Sequence, residues 1–396
     1  MSEEPAQVTV AGGMGDIDPA EWDAIANPDP EAYDPFVTHA FLLALEESGS
    51  ISPHTGWLPR HLLLHGPDGK LAAALPCYLK NHSMGEFVFD HGWADAYERS
   101  GLDYYPKLLC AVPVTPVPGR RFLVRADTDA ALAQQTLTAA AIELTRQTKS
   151  SSLHITFIEP QQAERSAAQG LLQRTGHQYH FANAGYGSFD GFLATLASRK
   201  RKNLKRERRD ALAAGISIEW LTGADITEAH WDAFFAFYMD TGGRKWGAPY
   251  LNRKFFSLLG AAQAKDCLLV MAKREGRSIA GALNMIGGEA LYGRYWGCIE
   301  HHPFLHFEVC YYQAIDFAIA HKLRRVEAGA GGEHKLVRGY EPMVTHSAHW
   351  IASAKFRRAI ADYLEREREH VERQGEAMAG MTPFRKGGPP KEKDED

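Results

Sequence analysis

Apolar residues recur at helical spacing in some windows and alternate with polar ones in others, so the chain reads as mixed helix and strand. The spacing predicts a helix over 189–214, with Phe192, Leu193, Leu196, Leu204 and Leu212 on its apolar side and Gly215 ending it. Alternation predicts a strand over 216–221. Aromatic-rich periodicity (Trp231, Phe234, Phe235, Tyr238) predicts a helix over 228–239, and another follows over 252–263. A hairpin and a third strand come next, then a helix over 307–321 and strands over 325–328 and 346–351. Phe356, Ile360, Tyr363 and Leu364 mark a last helix over 355–376. Helices mixed around an antiparallel centre, with a later crossover, predict an α/β (α+β, mixed-sheet) fold.

The pattern repeats weakly. Residues 61–65, a Gly66-Pro67-Asp68-Gly69 turn and residues 71–75 read as a hairpin. Residues 267–272, a turn around Gly276 and residues 279–283 read the same way. Each hairpin leads to an aromatic segment, 86–89 in one half and 290–296 in the other, predicted as a third strand. A helix-like run follows each, over 104–112 and 307–321. Two copies of one α/β unit explain this best, with domains over 1–185 and 186–378 and an unstructured tail over 379–396, whose end RKGGPPKEKDED offers nothing to anchor it.

Composition narrows the options. The 396 residues, 45% apolar and 23% charged, suit two globular domains. A net charge of -5 argues against a wholesale nucleic-acid binder. No run of 18 apolar residues suggests a membrane span, and the polar start at Met1-Ser2-Glu3-Glu4 is not a secretory signal. Cys77, Cys110, Cys267, Cys298 and Cys310 are scattered and odd in number, which points to small buried thiols in a reducing cytoplasm.

Four segments carry candidate chemistry. Residues 198–209 read SRKRKNLKRERR, with eight bases and one acid, a local +7. That density repels itself unless a polyanion or carboxylates elsewhere offset it, and Arg199, Lys200, Arg201 and Lys202 are its candidate polyanion ligands. Residues 297–308 hold three histidines and two glutamates, in no spacing that a metal site requires; Glu308 opens a helix and is either a general base or a cap. Residues 329–335 are Gly-rich but fit neither a P-loop nor a dinucleotide fingerprint; Glu333, His334, Lys335, Arg338 and Tyr340 are candidates to line a cleft there. In the first half Asp90, Trp93, Asp95, Tyr97 and Lys107 form either a wall for a polar substrate or ordinary packing.

These residues also carry a resemblance. Val88-Phe89-Asp90, Trp93 to Tyr97, Tyr105-Pro106-Lys107-Leu108 and 112–116 resemble a widespread bacterial family of N-acyltransferases, FemAB-like and associated with peptidoglycan biosynthesis and recognition. So do 198–202, His306-Phe307-Glu308-Val309-Cys310-Tyr311-Tyr312, Gly332-Glu333-His334-Lys335 and 346–350. The resemblance spans about 10–375. It implies a tandem GNAT-type fold. It also implies an activated ester or thioester donor, aminoacyl-tRNA or acyl-CoA, with an amine acceptor on a small molecule or a peptidoglycan precursor. Two departures stand out: the [Q/R]-x-x-G-x-[G/A] loop of acetyl-CoA enzymes is missing from 297–307, and no helical-hairpin arm of the kind found in some Fem ligases is inserted.

Such transfer is direct aminolysis. A carboxylate takes the amine's proton, and a main-chain N–H polarises the carbonyl. On this reading Glu308, then Glu333 and His334, are the candidate bases, and Tyr340 or Tyr311 protonates the leaving group. The strand ending Tyr295-Trp296-Gly297 holds the donor, with His306 alongside. The alternative is a non-catalytic module that recognises peptidoglycan fragments, RNA or anionic lipid.

Overall fold

A computed structural model describes residues 7–245 and 249–385. The chain divides into two compact units. The first takes the chain up to Gly176, Tyr250–Ala262 and Val344–Glu372; the second takes His177–Pro249, Gln263–Met343 and the chain from Arg373.

In the first unit the elements run β1 (Val8–Ala11), α1 (Pro19–Ala26), α2 (His39–Glu47), β2 (Trp57–Pro59), β3 (His61–His65), β4 (Leu71–Leu75), β5 (Cys77–Lys80), α3 (His91–Arg99), β6 (Lys107–Cys110), β7 (Leu123–Val124), α4 (Ala130–Gln147), β8 (Ser152–Ile158) and α5 (Pro160–Ala168). Next come β9 (Leu172–Ala182), α6 (Phe189–Thr195), α7 (Ser198–Ala211), β10 (Ile216–Thr222), α8 (Glu228–Lys245) and α9 (Arg253–Gln263). Then follow β11 (Cys267–Arg274), β12 (Arg277–Ile286), β13 (Ala290–Cys298), α10 (Leu305–Phe307), a π-helical turn Glu308–Tyr312, α11 (Gln313–Ala320), β14 (Arg325–Glu327), a 3-10 turn Glu333–Arg338, β15 (Glu341–Ile351) and α12 (Ala354–Ala379).

The first unit carries an antiparallel sheet β1-β3-β4-β7 and a second sheet in which the end of β15, β8, β6, β5 and β2 are neighbours. Its core gathers Leu62, Leu75, Leu108, Leu137, Leu153 and Ile155. The second unit is one sheet, β10-β11-β12-β13-β14 and the end of β9, with Leu268, Val270, Ala282, Leu291, Ile315 and Val326 in its core. The predicted hairpins are β3–β4 and β11–β12.

Among the described residues each unit shows a parallel strand pair joined through a helix, since parallel neighbours cannot be joined by a tight turn. In the first, β6 pairs with β8 over Leu108–Cys110; in the second, β13 pairs with β14 over Ala290–Tyr292. Beyond those three residues each pair diverges. In the first unit the gap is filled by the chain itself. Gly119 bridges to Ile158, and the guanidinium of Arg121, 1% exposed, donates to the carbonyls of Thr156 (3.0 Å) and Val117 (2.6 Å). In the second unit the gap remains open.

Four local expectations need correction. Residues 86–89 form no strand, and 104–112 is not a helix: β6 lies there, and the crossover helix is α4. Five consecutive residues, 108–112, are apolar, with Pro106 and Pro113 close on either side, a run that periodicity alone cannot assign. The 189–214 helix breaks at Leu196, whose backbone is extended, and Ala197 N donates to Pro383 O. The tail expected from 379 is anchored as far as 385: Phe384 meets the ring of Phe192, and Arg385 Nε donates to Leu196 O. The remainder, 386–396, and the start at Met1–Glu4 lie outside the described residues.

Candidate functional site

The open gap in the second unit is built by strand geometry. Register runs Leu283↔Tyr295 and then Asn284↔Gly293, so β13 carries one more residue than β12 there, at Arg294. Such a bulge interrupts the ladder and bends the strand. On its other side β13 has lost β14 from Gly293 onward. Between them lies a cavity of about 130 Å³ lined by Asn284, Gly293 to Trp296, His306, Cys310, Tyr311 and Val326 to Ala328. Gly293 keeps its mouth clear: a Cβ there would meet only Glu327 O at 3.4 Å and Asn284 Oδ1 at 3.6 Å. A second cavity of about 390 Å³, beside it, is lined by Thr241, Trp296, Cys298, Glu300, His301, His302, Leu305 and His306. Glu300 is committed to Arg274, Arg277 and His302, which together hold its carboxyl down at about 2.

Of the expected residues, Tyr295, Trp296 and His306 line this cleft, and Tyr311 joins them. Burial holds the Tyr311 phenol up, so it stays protonated; its Oη lies 3.2 Å from His334 Nε2 at the rim. The other expectations fall elsewhere. Glu308 is fully buried behind the cleft. Arg208 clamps both of its oxygens (2.8–3.2 Å), and Gln313 donates to Oε1 at 2.7 Å. That arrangement makes it an anchor for α7 rather than an accessible base. Glu333 is exposed at the start of the 3-10 turn and does not line the cavity. Gly297 is a packing position: its Cβ would stand 2.1 Å from the Phe237 carbonyl of α8.

Lys335, Arg338 and Tyr340 are structural as well. The Lys335 ammonium is buried, which lowers it to about 8, and it donates to the carbonyls of Ala328 (2.7 Å), Gly329 (3.1 Å) and Ala330 (3.3 Å). Three donors meet three acceptors, so the Gly-rich loop wraps this lysine instead of a ligand. Arg338 donates to Tyr312 Oη, His334 O and Glu207 Oε2, with its guanidinium 3.5 Å over Phe307. Tyr340 is 1% exposed among Phe181 and Tyr311, out of reach of a leaving group.

In the first unit Asp90, Trp93, Tyr97 and Lys107 pack inward. Lys107 is fully buried and donates to Ser83 (2.7 Å), Glu86 (2.7 Å) and Asp90 (2.5 Å). Burial works against the Asp90 carboxylate, yet Lys107 holds it well below the usual range; burial lifts Glu86 to about 7. Trp93 stacks on His154, and Tyr97 on Phe356. Asp95 lies on the exposed side of α3. These side chains hold the unit together and form no substrate wall.

Helix α7 splits its charge by face. Glu207 and Arg208 turn inward, Lys205 pairs with Asp190 and Arg209 with Asp210. Among the described residues no carboxylate pairs with Arg199, Lys200, Arg201, Lys202 or Arg206, and Arg199 and Lys202 are exposed.

One residue escaped notice in the sequence. Glu327, 3% exposed, lines the cavity; Arg325 Nε donates to its Oε1 at 2.9 Å, and its Oε2 has no hydrogen-bond partner among the described residues. The available signal was an acid at an inward position of a short strand, where an ionised group is costly.

The sequence profile of the FemAB-like family, described as peptidoglycan biosynthesis/recognition, matches residues 13–386. No curated protein matches the chain. Among solved structures, FemX is similar at 16% identity, covering 87% of this chain and 98% of that one with a TM-score of 0.55. The C-terminal domain of a lysylphosphatidylglycerol synthetase from Agrobacterium fabrum is similar at 9% identity, 87% and 96% coverage and a TM-score of 0.53. A tandem GNAT protein from clavulanic acid biosynthesis covers 88% and 99% at 13% identity, with a TM-score of 0.46. The fold is a tandem GNAT-like one, as the resemblance implied, and its similarity to FemX supports this.

Proposed function

The chain belongs to the FemAB-like family, and from that premise we propose that it transfers an acyl or aminoacyl group from an activated ester or thioester to an amine. The family's description supports a peptidoglycan-related amine as acceptor. The observation that carries the reading is the cleft where β13 leaves β14, with the β12–β13 register shift at Leu283/Asn284 beside it. Aminolysis needs main-chain donors at the carbonyl and an open approach for the nitrogen. A diverging parallel pair supplies both, and the equivalent gap in the first unit is plugged by Arg121.

Both donors remain within the reading. The unpaired cations Arg199, Lys200, Arg201 and Lys202 favour a polyanionic donor such as aminoacyl-tRNA, whereas acyl-CoA would bring its phosphates without the usual glycine loop. The test is to incubate the purified chain with aminoacyl-tRNAs or a panel of acyl-CoAs, and with a lysine-containing stem pentapeptide, and to look for an amide product by mass spectrometry. A product whose mass matches one donor's acyl group is expected. Pentapeptide binding without transfer from any donor would instead identify a recognition module.

A further inference from the structure

We propose that Glu327 is the group that takes the acceptor amine's proton, with His180 as its positioning residue. The assignment rests on the transferase reading and deepens it. Glu327 Oε2 and His180 Nε2 stand 3.6 Å apart, too far for a hydrogen bond, and neither has another partner among the described residues. Buried polar atoms are seldom left so. A pair of them, with Glu327 lining the cavity and His180 next to it on β9, marks a place for a third polar atom, and the nitrogen of an amine fits between a carboxylate and an imidazole.

The surroundings suit a base. Arg325 fixes Oε1 and so aims Oε2. Burial raises the Glu327 carboxyl against the opposing pull of Arg325 and, more weakly, Arg294. A base works best when its pKa lies near the working pH. Burial, with Arg325 and Lys335 nearby, lowers His180 to about 3, so the imidazole faces Glu327 neutral. Tyr295, His306, Cys310 and Tyr311 are the remaining titratable groups lining the cavity.

The step balances. The amine nitrogen attacks the donor carbonyl and forms the C–N bond. Its proton passes to Glu327 Oε2, the C–O or C–S bond breaks, and the leaving oxygen or sulfur keeps that bond's electron pair. It receives the proton back from Glu327, directly or through the phenol of Tyr311.

Transfer rates of the full chain across pH 5.5–9 test this. In the wild type kcat is expected to rise with pH as Glu327 deprotonates. Glu327→Gln, nearly isosteric, should lower kcat by about 10²–10⁴-fold with donor KM and the circular-dichroism melt little changed. Glu327→Asp should recover part of the rate. His180→Leu replaces the polar imidazole facing Oε2 with an apolar side chain that solvates the carboxylate less well, so it should move the kcat rise to higher pH without abolishing transfer; this readout stands even if Glu327→Gln does not fold. If Glu327→Gln keeps its rate within about threefold, or His180→Leu leaves the profile in place, the assignment is overturned while the transferase reading survives. A wild-type chain that transfers nothing overturns both.

Discussion

At the residue scale, charge inside the molecule is the recurring theme. Lys107, Lys335, Arg121, Arg338 and Glu308 are all buried, and each meets partners that match its donors or acceptors. Sequence patterning marked several of them as chemistry, because an ionisable residue in an apolar stretch looks the same whether it binds a ligand or ties two segments together. Trp296 and His306 were legible because they flank an aromatic strand end; Glu327 was not, because a three-residue strand gives no period to read. Lys335→Met should cost about 2–3 kcal/mol, leaving three loop carbonyls without their donor, as urea melting would register.

The buried histidines set a pH dependence. His154 and His349 lie with their Nδ1 atoms 2.7 Å apart, and burial lowers His154 to about 3 and His349 well below its ordinary range. Between pH 6.5 and about 3 the unfolded chain therefore binds protons that the folded His154 refuses, and stability falls as pH falls. Each such histidine contributes on the order of 1.4 kcal/mol per pH unit in its window. Glu86, raised to about 7, acts in the opposite sense between its ordinary value of 4.5 and 7 and partly offsets them. A melting temperature that drops below pH 6, and drops less in His154→Gln, is the expected scan.

At the element scale, α7 and the α8–β13 contact make separate commitments. Helix α7 is pinned from within by Arg208 on Glu308 and Asp316, and this frees its outer cations for a partner. Replacing Arg199, Lys200, Arg201 and Lys202 by Gln should leave the melting temperature within a degree or two. It should weaken tRNA binding and flatten its dependence on salt between about 50 and 200 mM. Gly297→Ala should do the reverse. It forces a methyl into the Phe237 carbonyl, so a loss of roughly 3 kcal/mol in unfolding free energy from denaturant melts is expected. The helices and hairpins of the second half were legible because their periods are long and regular. The first half's third strand was hidden: β4 and β5 meet at Pro76, and β6 sits among prolines where no alternation develops.

At the scale of the whole molecule, a duplicated unit carries two parallel pairs; among the described residues Arg121 closes the gap of the first, and a cavity lies at the gap of the second. The repeat was readable from two hairpins alone. Which copy is open was not, because that depends on a distant segment, 117–121, folding back to put Arg121 where the strands part. The most direct check is to fill the second unit's cleft without disturbing its frame. Gly293→Val adds two methyl groups beyond a Cβ that the structure tolerates. The amide-forming assay, run beside a thermal melt, should show an unshifted melt and transfer reduced at least a hundredfold, with Gly293→Ala intermediate. A Gly293→Val chain that melts normally and transfers at the wild-type rate would place the chemistry somewhere other than between β13 and β14.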